Sequence, residues 1–173
     1  MRKFLKCFSI MAIYLLITAC PYESSVPLTS PSEKLIPELL GKWVVHEGKG
    51  DYVVIKKLNT YQYQINNFKF DNDKREYIPE NYRAHSSTID DDIFLNISSV
   101  SVIESGDSLD VKSEAYFLYK IKFQGTDSLL LIEVSQYIRE QFINSVELEA
   151  FVKKYKDLSF FFGEETIYIK GKE

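Results

Sequence analysis

Two histidines and two cysteines in 173 residues leave few groups for metal, redox or nucleophilic chemistry. His46 and His85 stand far apart, and neither Gly-x-Ser-x-Gly nor His-Glu-x-x-His occurs. Hydrolytic or zinc chemistry would therefore need one histidine joined by distant carboxylates, so a non-enzymatic protein is expected, with an enzyme using His46 or His85 as the alternative. Two acidic clusters are poor metal sites. Asp71, Asp73 and Glu76 are interrupted by Lys74 and Arg75 and lack the glycine of a calcium loop, and Asp90-Asp91-Asp92 reads as a charged turn. No metal and no cofactor are expected. A basic surface is also missing: the formal charge is −4, which removes nucleic acid as a partner. Glycine and proline are scarce, at 7 and 5, whereas tyrosine and phenylalanine number 12 each, the balance of a packed β-domain.

The chain holds one long apolar run, Phe8 to Ile17, broken by Ser9. It is too short for the ~20 apolar residues of a transmembrane helix. Arg2, Lys3 and Lys6 precede it without an acidic residue, and the small residues Thr18-Ala19 lead into Cys20. Residues 1–19 thus have the form of a secretory signal peptide. The segment Leu16-Ile17-Thr18-Ala19-Cys20 resembles the lipobox of bacterial lipoproteins. That resemblance implies cleavage before Cys20, at least two acyl chains on it, and a protein held to membrane lipid in the cell envelope. In a Gram-negative cell, Pro21 after the lipidated position points to the outer membrane, facing the periplasm or the cell surface. A plain signal peptide with Cys20 as an ordinary thiol is the alternative. Cys7 lies inside the removed segment, so Cys20 has no intramolecular disulfide partner in the mature chain.

Pro21, Pro27, Pro31 and Pro37 alternate with serines, and residues 20–37 read as the lipidated cysteine followed by a Pro/Ser-rich tether. The folded domain is expected over 38–173. Gly41-Lys42-Trp43 opens a strand, and this Gly-x-Trp resembles the first motif of lipocalins, whose tryptophan closes one end of the barrel. Tyr52 to Leu58 is the next strand, and Asn59-Thr60 a hairpin connection. Tyr61, Tyr63 and Ile65 alternate with Gln62, Gln64 and Asn66; the apolar parity then flips to Phe68 and Phe70, which predicts a bulge near Asn66-Asn67. Residues 71–81, with Pro79, read as a loop, and Tyr82 to Ile89 as a weak strand. Ile93, Leu95 and Ile97 alternate with Asn96 and Ser98. Phe117, Tyr119, Ile121 and Phe123 alternate with Leu118, Lys120 and Lys122. The polar second faces make an outer-membrane barrel a poor alternative, since its exterior must be apolar at hydrocarbon depth.

The period then changes. Asn144 with Glu147 resembles a capping box. Leu148, Phe151, Val152 and Tyr155 form one stripe of a short helix, with Phe151 expected to bury against the sheet. Thr166 to Lys170 reads as a closing strand with Ile167 and Ile169 inward. The expected fold is mainly β: an antiparallel up-and-down barrel or half-barrel, lipocalin-like, with one late amphipathic helix. Its inward rows offer Tyr61, Tyr63, Phe117 and Tyr119 as ligand-binding residues. The size of these side chains favours an interior they fill over one that is hollow. Function is expected to be binding of a small apolar ligand or an envelope protein partner.

Overall fold

The computed structural model describes residues 22–48, 50–99, 115–135 and 137–172. The signal segment, Cys20 and residues 100–114 lie outside the described residues.

Period-two patterning is realised as eight antiparallel strands: β2 (Gly41–Val45), β3 (Tyr52–Lys57), β4 (Tyr63–Asp71), β5 (Glu76–Ile89), β6 (Asp92–Ser99), β7 (Tyr116–Phe123), β8 (Ser128–Val134) and β9 (Phe162–Lys170). Each pairs with its sequence neighbour and β9 pairs back onto β2, so the sheet closes into an up-and-down barrel. This is the lipocalin-like arrangement, whole rather than half. One helix, α1 (Ser145–Tyr155), packs outside it.

No bulge interrupts β4: its pairing to β3 and β5 runs without a shift through Asn66 and Asn67. Parity flips because Phe68 and Phe70 turn outward, not because the register slips. Phe68 stacks on Tyr52 with centroids 4.6 Å apart, and Tyr77 meets Tyr52 and Phe70 edge-on, each at 5.2 Å. Pro79 is likewise in a strand instead of a loop. It pairs with Phe68, on a part of β5 beyond the residues that pair with β6, where one ladder is enough and a missing N–H is tolerated. In β9 the parity is the reverse of that expected. Tyr168 points inward while Ile167 and Ile169 are each 38% exposed, because Lys170 lies over the Trp43 ring and fixes which face is inside.

One end of the barrel is plugged. A 3₁₀ turn, Pro37–Leu39, crosses it, and Leu39 and Trp43 are fully buried there with Ile55, Ile65, Leu95 and Leu129. The Trp43 indole N–H donates to the Leu39 carbonyl at 2.8 Å. Lys170 Nζ sits 4.2 Å from the indole centroid and donates to the carbonyls of Glu38 and Leu40. Gly41, at φ +115°, makes the bend from plug to β2, in a region where a Cβ is strained.

The proline-rich segment is extended, as its prolines require, and it is laid against the barrel. Glu23–Ser24 (β1) pairs with Tyr116 and Phe117, the part of β7 that β8 does not reach. Tyr22 and Leu28 are buried in a second core with Phe94, Leu118, Leu148 and Val152. Asn96 is fully buried beneath this strap; its Oδ1 accepts from the Leu28 N–H at 2.6 Å, and its Nδ2 donates to Ser87 Oγ at 2.8 Å. The row that looked wet in the sequence is thus covered, and its polar groups satisfy the strap's backbone. The helix is capped as expected, Asn144 Oδ1 accepting from the Glu147 N–H at 2.9 Å. Leu148 and Val152 make its buried contacts. Phe151 is only half-buried, beside Phe142, Tyr155 and Phe161 at centroid distances of 5.0, 4.7 and 6.2 Å.

Asp90 and Asp92 tie the helix to the β5–β6 turn. Asp92 meets Lys120 at 2.5 Å and Lys156 at 3.0 Å, and Asp90 meets Lys153 at 3.3 Å. Burial alone would raise the Asp92 carboxyl, but hydrogen bonds from Lys120 and Lys156 and their charges outweigh it and hold it below the usual carboxylate range. A depressed folded pKa stabilises above the unfolded value and is lost as pH falls through the folded one. Asp92→Asn is therefore expected to lose about 2 kcal/mol at neutral pH. Below pH ~4 the gap to the parent should narrow, as chemical denaturation across that window would show.

Candidate functional site

Inward residues of β4 run Tyr63, Ile65, Asn67 and Lys69, changing from apolar to polar along the barrel axis. Tyr63 lies at the plugged end, 1% exposed, its hydroxyl accepting from the Ile36 N–H at 2.7 Å. Asn67 and Lys69 lie toward the other end, which the described residues leave open. Between them is a cavity of about 380 Å³. The barrel is therefore hollow in its upper half, against the expectation of a filled interior. Eight strands set the diameter, and the interior rows fill it only where the plug adds Leu39 and Trp43 from below.

Val53, Ile55, Leu95, Ile97, Leu129 and Leu131 supply much of the apolar wall, and Phe117, Tyr82, Tyr119 and Tyr168 its aromatic part. Burial raises all three of these tyrosines. Tyr119 is pushed up to about 12 by burial, with the Glu133 carboxylate and the neighbouring Tyr168 and Tyr82 adding to it. Tyr82 is also pushed up to about 12, by burial and by its hydrogen bond to Glu80, 2.9 Å from its hydroxyl. Tyr168 is raised by burial and by Asp51. All three hydroxyls are consequently protonated at neutral pH and can donate. Tyr82 spends its proton on Glu80. Among the described residues, the hydroxyls of Tyr119 and Tyr168 make no hydrogen bond.

Glu80 organises the rim. Its Oε2 accepts from Tyr82, from Asn67 Nδ2 at 3.1 Å, and from Lys69 at 3.1 Å. Burial would raise its carboxyl, but these donors and the Lys69 charge bring it below its ordinary range. Near the end of β8, Glu133 is shifted the other way, up, by burial and by the Glu164 charge.

Of the residues expected to bind ligand, Phe117 and Tyr119 line the cavity together. Tyr63 belongs to the plug, and Tyr61 is 42% exposed at the β3–β4 turn. Tyr82, Tyr168, Asn67 and Lys69 line the cavity too but were not singled out in the sequence. The polar drift along 63, 65, 67 and 69 is the signal that could have found the mouth. Neither histidine faces the cavity. His46 is exposed beyond the end of β2, and His85 is buried on the barrel's outer side, its Nε2 2.6 Å from the Thr29 carbonyl of the strap. Among the described residues no three His, Cys, Asp or Glu side chains are grouped to hold a metal. No protein-family model matches the chain, and neither a curated protein nor a solved structure matches it.

Proposed function

We propose that this protein is a lipoprotein of a bacterial envelope, anchored through acylated Cys20, whose barrel binds a small, largely apolar ligand carrying a hydrogen-bond acceptor. One observation carries the reading: an apolar cavity of about 380 Å³ into which Tyr119 and Tyr168 bring protonated hydroxyls with no protein partner among the described residues. Such a cavity lies at the small end of the ~300–1,000 Å³ typical of ligand sites, where a few polar groups fix orientation. The placement of both histidines away from it favours binding over histidine chemistry.

The test uses N-phenyl-1-naphthylamine, a neutral apolar dye that brightens on leaving water. The purified protein should enhance its emission with saturation. Leu131→Trp places an indole in the cavity and should abolish that enhancement while the denaturation midpoint holds or rises. Equal dye binding by this variant, or none by the parent, would overturn the proposal.

A further inference from the structure

Each tyrosine of the cavity wall has a carboxylate near it. Glu133 is the cross-strand partner of Tyr119 and shares the inward face of β8 with Leu129 and Leu131, whereas Val134, next to it, belongs to the outer core. Glu80 accepts from the Tyr82 hydroxyl at 2.9 Å. Asp51 is one strand away from Tyr168: its carbonyl accepts from the Val45 N–H at 3.0 Å, and Val45 is the cross-strand partner of Tyr168.

Two of these carboxylates are already engaged. Lys69 is the only charged residue of the described cavity wall, and its ammonium is 3.1 Å from Glu80. Asp51 Oδ1 accepts from the Phe70 N–H at 2.9 Å. Glu133 differs. It is half-buried, and among the described residues its carboxylate has neither a hydrogen bond nor an ion pair, although burial and the Glu164 charge both raise it. Its Oε1 lies 3.9 Å from where a Cβ on Gly163 would stand, so no side chain crowds it at that position of β9. A partly buried charge without a partner is costly, and a cation from outside the protein would relieve it.

The space below Glu133 suits such a cation. Phe117, Tyr82, Tyr119 and Tyr168 contribute four rings to a wall that is otherwise mostly aliphatic. Aromatic faces attract a desolvated cation, most strongly where water is excluded. The Tyr119 and Tyr168 hydroxyls serve two kinds of ligand group: they donate to an acceptor, and their oxygens accept from an ammonium. A ligand carboxylate would instead meet Glu133 as a like charge, with Lys69 already paired. From this we infer that the cavity takes a small apolar amine in its protonated form, the ammonium set between the aromatic wall and Glu133, and that it rejects carboxylates of the same size. The inference rests on the reading of the barrel as a ligand site.

The experiment displaces bound N-phenyl-1-naphthylamine with three matched probes: phenylbutylamine, phenylbutanol and phenylbutyrate, which share a body and differ in the terminal group. At neutral pH and low salt the amine should displace the dye at roughly tenfold lower concentration than the alcohol. The carboxylate should need more than either. Glu133→Gln should remove most of the amine's advantage over the alcohol. Glu165→Gln takes a charge from the exposed, outward side of β9 and should keep that advantage. A carboxylate or an alcohol that displaces as well as the amine would overturn the inference, and this ranking in the parent decides even if Glu133→Gln does not fold. An amine advantage that survives Glu133→Gln, or that falls equally in Glu165→Gln, would also overturn it, by tracing the preference to the charge of the whole protein. Dye that binds and yields to none of the probes would overturn the inference and spare the cavity. Absence of dye enhancement in the parent would overturn the cavity reading and the inference with it.

Discussion

Trp43→Ala is expected to cost the barrel about 3–5 kcal/mol. Trp43 is fully buried and is the only tryptophan of the chain. Its loss removes three things together. The indole fills the plugged end beside Ile55, Ile65, Leu95 and Leu129, residues that also line the cavity, so the new void adjoins one already present. The Leu39 carbonyl loses its donor. Lys170 loses the ring over which its ammonium rests while its bonds to Glu38 and Leu40 remain. Unfolding by urea should be followed by circular dichroism, since the variant has no tryptophan fluorescence. A midpoint within error of the parent would mean that the 3₁₀ turn closes the barrel unaided.

The second large effect concerns the anchor. Cys20→Ser is expected to abolish incorporation of labelled fatty acid, to leave unprocessed precursor, and to release any matured protein into the soluble fraction. Each buried methylene contributes ~0.8 kcal/mol to membrane retention, so two chains hold where exposed apolar side chains alone do not. A matured soluble form should bind the naphthylamine dye like the parent, because the cavity wall includes no residue near the cysteine in sequence. Normal fatty-acid labelling of Cys20→Ser would end the lipoprotein reading and leave the cavity reading untouched.

Much of this architecture was legible in the residues. Period-two alternation in β7, the capping pair Asn144 and Glu147, and the helix stripe all report local burial, which a single strand or helix expresses by itself. Phe117 and Tyr119 fall in the cavity for the same reason. What escaped depends on what lies across from a residue. Asn96 read as solvated because nothing in its own strand announces that the strap will cover it. Phe68 and Phe70 suggested a bulge because outward aromatic residues imitate inward ones when the cluster they join spans three strands. Tyr168 was hidden between two isoleucines of greater apolarity, and only Lys170, placed over Trp43, decided the face. The hollow interior was illegible for a geometric reason: strand number sets the diameter, while alternation tells only which residues point in.

The strap also has a mechanical meaning. It is hydrogen-bonded to the first residues of β7, clasped by Asn96 midway, and finishes as the turn that plugs the floor. A tug on the chain ahead of Tyr22 would reach β1 and Asn96 before it reached the plug, so those bonds would have to part before the plug is loaded. The floor of the cavity is thereby shielded from strain that enters at the start of the strap.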